Sequence, residues 1–186
     1  MDQFVDRRAD LKRLEECFSQ KEGSQRRKIV ILHGPAGIGK SRLSTEFVRL
    51  YQHKYSHVFW LNGVSEATLK ESIASIASRI PAGQSRVMTE PHNEWLLKVE
   101  TVYKKVLQWL AADDNDSWLL IFDDVCRDTD ITRRNAKEFD VEPYLPRANH
   151  GHILMTTRLS RFAKHGITVK LNPFATIRLG PFLPET

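Results

Sequence analysis

The residues best suited to chemistry lie in one short segment, residues 34–41, which reads GPAGIGKS. It follows an apolar run at 29–32 and precedes apolar residues at helical spacing, which is the context that the phosphate-binding pattern GxxxxGK[ST] requires. Its glycines let successive backbone N–H groups point inward, and the helix that follows adds the positive end of its dipole. The segment therefore predicts a loop that holds the phosphates of ATP or ADP.

The residue types within this loop predict separate roles. Lys40 brings a positive charge to the β- and γ-phosphates, and the Ser41 hydroxyl is a short oxygen ligand for Mg²⁺. The other residues of the loop and the first helical turn that we expect at the nucleotide are Gly34, Ala36, Gly37, Ile38, Gly39 and Arg42.

A second ligand for the metal is predicted after the apolar run at 118–122, where Asp123 and Asp124 follow directly. In this Walker B pattern, Asp123 would hold Mg²⁺ directly or through water. Asp124 would act as the catalytic residue that orients or deprotonates an attacking water. A turn or a helix cap after a strand uses the same residue types, so both interpretations stay open for the pair.

A cation follows another apolar run, at 153–156, where the chain continues with Thr157 and Arg158. Open α/β sheets bind ligands at the carboxyl ends of their strands. Arg158 is therefore a candidate catalytic residue that reaches the γ-phosphate and reports whether it is present. The alternative is a surface arginine at a strand end.

The elements that must position these residues follow from the apolar pattern. Runs rich in β-branched and aromatic residues predict buried strands at 29–32, 58–61, 118–122 and 153–156. Apolar residues at helical spacing predict helices at 11–18, 43–50, 69–80 and 96–110. Strands that are apolar on both faces and alternate with helices predict a parallel α/β sheet.

Four other segments remain to be assigned. Residues 81–93 combine Pro, Gly, Ser and Asn and predict a surface loop, and 112–117 predicts a shorter turn. Two segments compete to be the fifth strand, 168–171 and 176–179, and we favour 176–179.

Composition excludes several classes of protein. The chain has 186 residues, 41% of them hydrophobic, which suits one globular domain. Its two cysteines predict neither a disulfide framework nor a zinc site. We find no signal peptide and no apolar run long enough for a membrane helix, and we expect a cytoplasmic protein. The net charge of +5 comes from short clusters without interleaved aromatic residues, so nucleic acid is not an expected partner.

Four motifs in order carry a resemblance to a known family: FVDR at residues 4–7, GPAGIGKS, LLIFDDV and ILMTTR. With them, the sequence resembles the NB-ARC nucleotide-binding domain of the STAND NTPases, the switch module of NOD-like receptors. Residues 58–62 and 144–146 are similar to two further family segments, so the resemblance covers nearly the whole chain. We therefore expect residues 1–186 to form one NB-ARC-like domain that lacks the helical and winged-helix lids of the family.

The resemblance implies details of fold and of nucleotide contact that the residues alone do not. It implies a P-loop NTPase fold, a three-layer α/β/α sandwich with a parallel five-stranded sheet of order 2-3-4-1-5. It also implies that Val5 and Arg7 contact adenine. From the residues alone, Phe4 and Val5 are equally well interpreted as a hydrophobic staple before the first helix.

The function implied is a nucleotide-controlled switch in signalling or innate immunity, in which ADP maintains a resting receptor and ATP permits self-association. ATP hydrolysis would be slow or absent. The partners would be an adenine nucleotide and, in the ATP state, further copies that associate through the family's parts that the sequence lacks. One alternative is an AAA+-like motor or loader acting on DNA or protein, but Asp124 stands where such motors usually carry Glu. Another, a small-molecule kinase, needs an arginine-rich lid that the sequence lacks.

Overall fold

Five strands and four helices organise the computed structural model, which describes residues 7–19, 26–80, 95–126 and 140–172, excepting the side chains of 95–98. The elements run in this order: α1 (Arg8–Phe18), β1 (Lys28–His33), α2 (Lys40–Tyr51), β2 (His57–Asn62), α3 (Glu66–Ser75), α4 (Trp95–Leu110), β3 (Trp118–Val125), β4 (His152–Thr157) and β5 (Ile167–Lys170). Short 3₁₀ turns at Gln52–Lys54, Ile76–Arg79, Glu142–Tyr144 and Ser160–His165 connect them.

The sheet has the order β2-β3-β4-β1-β5, and every pair of neighbouring strands is parallel. This confirms the order that the resemblance implies. In the register, His33 of β1 pairs with Thr157 of β4, and Asn62 of β2 pairs with Asp123 of β3. Because all strands point the same way, the residues that follow β1, β3 and β4 meet at one edge of the sheet.

Helices cover both faces of this sheet, as alternate residues of one strand show. Ile29 and Ile31 of β1 lie in a core formed with α3 and α4, whereas Val30 and Leu32 lie in a second core formed with α1 and α2. A strand that is buried on both faces has to be apolar at successive positions, which is why β1 reads as a continuous apolar run. The three-layer α/β/α sandwich is therefore confirmed.

The fifth strand is the one element for which our preference was wrong. Strand β5 lies at Ile167–Lys170 and pairs with β1 from Val30↔Ile167 onward, close to the segment that we ranked second. As an edge strand it buries Val169 and leaves Ile167 half exposed, so its apolar pattern is weak. The favoured segment, 176–179, lies outside the described residues.

The other predicted strands are confirmed, and the helices differ in detail. The helix predicted for 69–80 is an α-helix only to Ser75 and continues as the 3₁₀ turn Ile76–Arg79. The predicted surface loop at 81–93 lies outside the described residues. Among the helices that the structure describes, none is both long enough and apolar enough to span a membrane.

Candidate functional site

The glycine-rich loop joins β1 to α2 and turns sharply before the helix begins. Gly39 has φ +93°, a left-handed conformation that other residues rarely adopt. A Cβ atom at Gly39 would meet nothing within 4 Å, so the backbone conformation rather than space requires glycine there. The N–H of Leu43 donates to the Gly39 carbonyl at 2.9 Å, which sets the first turn of α2 directly behind the loop. The amino end of α2 is thereby aimed at the loop's concave side.

Lys40 lies inside this loop, and its side chain is almost fully buried. Its residue exposure is 7%, and Nζ donates to the carbonyl oxygens of Gly34 at 2.9 Å and Pro35 at 2.8 Å. Burial lowers the pKa of Lys40, and the charge of Arg158 lowers it further, while Asp124 oppositely raises it. The loop thus holds a poorly solvated positive charge that a nearby anion would stabilise.

Asp123, near the end of β3, accepts hydrogen bonds from two hydroxyl groups. Its Oδ1 accepts hydrogen bonds from Ser41 Oγ at 2.7 Å and from Thr156 Oγ1 at 2.6 Å. Two neighbouring ligands in an octahedral magnesium site, each about 2.1 Å from the ion, lie about 2.9 Å apart. Ser41 Oγ and Asp123 Oδ1 have nearly this separation, so the oxygen pair fits the Mg²⁺ that the sequence predicts.

Asp124 lies within β3 but outside the regular hydrogen-bond ladder, because the pairing of β3 with β4 is irregular there. The register shifts between Phe122 and Val125, and Asp124 has φ +53°, in the left-handed region. Its N–H donates to Thr156 Oγ1 at 2.8 Å. Such a bulge redirects a side chain, and the Asp124 carboxylate is accordingly 46% exposed.

Arg158 faces Asp124 from the end of β4. Its Nε lies 3.8 Å from Asp124 Oδ1, and its side chain is 44% exposed. An exposed ion pair at this distance contributes little to stability. The guanidinium is therefore held at the site without being fixed tightly.

Arg7 approaches the loop from α1. Its Nη1 donates to Asp10 Oδ2 and its Nη2 to the Ile38 carbonyl, both at 2.9 Å. Arg7 thus fastens the start of α1 to the loop backbone. Its contact with adenine stays a prediction, and Val5, its predicted companion, lies outside the described residues.

The predicted residues mostly line one open cleft of about 480 Å³. Its lining comprises Ala36, Gly37, Gly39, Lys40, Ser41, Arg42, Asp123, Asp124, Thr156 and Arg158. Of the other predicted residues, Gly34 accepts from Lys40 inside the loop, and the Ile38 side chain packs against the core beside α1.

Thr156 is the residue that the sequence reasoning missed. It is fully buried and connects Asp123 to the backbone of Asp124. The signal was present in the implied strand order, because neighbouring parallel strands place residues near the ends of β3 and β4 side by side. A polar residue at the buried end of an apolar strand should have been assigned a partner.

Comparison with known sequences points to one family. The model of the NB-ARC domain matches residues 7–174. A nucleotide-binding leucine-rich repeat (NLR)-like protein of Hyaloscypha variabilis is 25% identical over 171 residues, which cover 87% of this chain and 16% of that protein. The NACHT, LRR and PYD domains-containing protein 1a (allele 5) of Rattus norvegicus is 31% identical over 114 residues, covering 58% and 9%. The chain therefore spans less than a fifth of these relatives.

Solved structures share the architecture at low identity. Cdc6p from Pyrobaculum aerophilum matches 93% of this chain and 47% of its own, with a TM-score of 0.56 and 14% identity. The ORC1 protein of Aeropyrum pernix, solved in complex with DNA, matches 94% and 47%, with a TM-score of 0.57 and 15% identity. At such identities the likeness concerns the fold alone.

Proposed function

The chain belongs to the NB-ARC family, and from this membership we propose that it is the ADP- and ATP-binding switch module of a NOD-like (STAND) receptor. In this proposal ADP maintains the resting state and ATP permits self-association. Hydrolysis is slow or absent, and the signal belongs to innate immunity or a related response. The relatives named above, an NLR-like protein and a NACHT- and LRR-containing protein, support this role.

One observation carries the nucleotide assignment: a desolvated ammonium and a magnesium-type oxygen pair lie in the same cleft. Within the part of the chain that the structure describes, Lys40 Nζ donates to two loop carbonyls, at 2.8 and 2.9 Å. The Oγ of Ser41, the next residue along α2, lies 2.7 Å from Asp123 Oδ1. Phosphate oxygens would replace neutral carbonyls as partners of Lys40, which strengthens each hydrogen bond because both groups are then charged.

In this proposal, different residues of the chain bind the phosphates, the metal ion and the base. The loop N–H groups and Lys40 bind the phosphates, and Ser41 and Asp123 hold Mg²⁺. The ion, when bound, neutralises charge on the terminal phosphates. Thr156 keeps the Asp123 carboxylate oriented through its 2.6 Å hydrogen bond, which makes it a positioning residue. Arg7 stabilises the loop from α1 and, in this proposal, contacts the base together with Val5.

Arg158 is proposed to distinguish ATP from ADP. The 3.8 Å pair with Asp124 is exposed and weak, so a γ-phosphate can attract the guanidinium away from the carboxylate. ADP has no phosphate at that point and leaves the pair intact.

Titration calorimetry with ADP and ATP, with Mg²⁺ and with EDTA, tests the proposal. We expect both nucleotides to bind. Absence of binding by either nucleotide would refute the assignment. ATP turnover stimulated by duplex DNA or by a protein substrate would instead favour the AAA+-like motor or loader, which the structural likeness does not by itself support.

A further inference from the structure

A second group of metal-ligating side chains lies outside the nucleotide cleft, where the 3₁₀ turn Glu142–Tyr144 meets the end of the 3₁₀ turn Ser160–His165. Asp140, Glu142 and His165 each offer one ligand atom, and these atoms lie within 4.8 Å of one another. None of the three lines the cleft around Lys40. Asp140 and Glu142 instead line a separate open depression of about 520 Å³, through which an ion has access from solvent.

His165 supplies the independent observation, because it is buried and poorly paired. Its side chain is only 7% exposed, and Nδ1 faces Glu142 Oε2 at 3.7 Å, beyond hydrogen-bond distance. Among the described residues, its buried Nε2 has no hydrogen-bond partner. Buried polar groups in folded proteins nearly always have a protein, water or ion partner. A cation between His165 Nδ1 and the carboxylates of Asp140 and Glu142 would give this side of the buried imidazole a close partner, which the 3.7 Å separation from Glu142 does not. Nε2 points away from the carboxylates and is not a ligand in this arrangement.

The ligand types select the class of cation. Magnesium and calcium prefer sites built only from oxygen, whereas imidazole together with carboxylates suits zinc and similar first-row ions. Ligand atoms of a tetrahedral zinc ion, each about 2.1 Å from the metal, lie about 3.4 Å apart. The 3.7 Å separation of His165 Nδ1 from Glu142 Oε2 is close to this value, and Glu142, at 71% exposure, is free to close the difference.

We propose that Asp140, Glu142 and His165 bind a divalent first-row transition-metal ion, represented by Zn²⁺, with solvent completing the coordination. The ion braces the connection between β4 and β5, because it joins the Ser160–His165 turn to the segment that precedes β4. Phe162 already anchors that turn in the core, and Arg158 lies just before it. The proposal does not depend on nucleotide binding.

The test is a calorimetric titration of the nucleotide-free chain with ZnCl₂ after treatment with EDTA and its removal. We expect one Zn²⁺ per chain, and a rise of about 5–10 °C in the thermal midpoint at 100 times the dissociation constant. Asp140→Asn, Glu142→Gln and His165→Ala should each weaken Zn²⁺ binding at least tenfold. Mg²⁺ and Ca²⁺ should not compete at millimolar concentration.

Matched variants separate this site from other ligands in the chain. His53→Ala and Glu71→Gln change exposed residues elsewhere and should alter the affinity by less than twofold. Asp123→Asn should also retain the zinc site, because Asp123 belongs to the nucleotide cleft.

Circular dichroism establishes whether each variant is folded. If His165→Ala does not fold, the two exposed carboxylate variants decide the question. Unchanged Zn²⁺ affinity in both carboxylate variants would mean adventitious surface binding and would overturn the proposal. Absence of Zn²⁺ uptake at free Zn²⁺ concentrations up to 100 times about 1 µM would equally overturn it.

Discussion

The two ends of the parallel sheet differ in how their polar side chains are paired. At the carboxyl end, Asp124 and Arg158 are both charged residues, nearly half exposed, and 3.8 Å apart. At the amino end, His152 stacks on Phe18 with ring centroids 5.0 Å apart, and its Nδ1 lies 3.0 Å from Tyr55 Oη. The carboxyl end leaves charged groups within reach of a ligand, and the amino end holds a part-buried, uncharged pair.

The pKa of His152 reflects this difference in exposure to water between the two ends of the sheet. Burial, helped by the charge of Lys28, lowers the pKa of His152 to about 4. The imidazole is therefore neutral at physiological pH. Close packing continues beside it, because Gly151 has φ +74° and a Cβ atom there would overlap the Trp118 ring. The amino end is therefore closely packed, whereas the carboxyl end leaves Asp124 and Arg158 nearly half exposed.

The largest expected effect comes from removing the buried charge of the cleft. Lys40→Ala should weaken both ADP and ATP at least 100-fold, about 2.7 kcal/mol, because a charge-assisted hydrogen bond contributes about 1.5–3 kcal/mol and Lys40 serves the β-phosphate of both. Calorimetry measures the change. Lys12→Ala, at an exposed position of α1, is the control and should stay within about twofold of wild type. Near-normal ADP affinity in Lys40→Ala would contradict the assignment of the loop.

The next effect belongs to the amino end and concerns stability. Because the folded pKa of His152 is about 4 and the unfolded value about 6.5, the unfolded state takes up the proton first. The contribution of neutral His152 is complete above pH 6.5 and is lost as pH falls toward 4. Between pH 8 and pH 5 we expect a loss of about 2 kcal/mol in the free energy of unfolding, measured with urea.

His152→Phe removes this titration and should show a correspondingly shallower pH dependence, even if it is less stable throughout. His53→Ala, an exposed histidine, should retain the wild-type slope. Nucleotide affinity at pH 7.5 should be unchanged in His152→Phe, which sharpens the contrast between the two ends. A wild-type slope in His152→Phe would show that other groups carry the acid sensitivity.

A smaller effect tests the oxygen pair of the cleft. Asp123→Ala should weaken ATP binding about 20-fold in Mg²⁺ and less than about threefold in EDTA, since its task is to hold the metal. Asp113→Ala, an exposed carboxylate in the turn after α4, should behave as wild type. Equal losses with and without Mg²⁺ would identify Asp123 as a structural residue that only orients Ser41 and Thr156.

The smallest effect distinguishes a switch from a passive nucleotide holder. Arg158→Ala should weaken ATP about tenfold and ADP less than about threefold, because the exposed guanidinium meets only the γ-phosphate and solvent reduces its contribution. Arg49→Ala, which breaks an exposed pair with Glu46 on α2, should affect neither nucleotide. Parallel losses for the two nucleotides would mean that this edge of the sheet does not read the γ-phosphate.

The sequence predicted the parts of the fold that depend on local chemistry. Strands buried on both faces must be apolar at every position, so the strands at 29–32 and 118–122 could be predicted from the sequence. The phosphate-binding loop could also be predicted, because its glycines, Lys40 and Ser41 are close together along the chain. Strand β5 could not be predicted, because an edge strand buries only one face and its apolar pattern resembles that of neighbouring segments.

Only the tertiary structure decided which distant residues meet. Thr156 lies 33 positions from Asp123 and Arg7 lies 31 from Ile38, yet both pairs are hydrogen-bonded. The strand order, the bulge at Asp124 and the burial of His152 each depend on contacts between segments far apart in sequence. Residue types set what each side chain can do, whereas packing sets its partners and its exposure to water, and these in turn determine whether it is charged and free to bind.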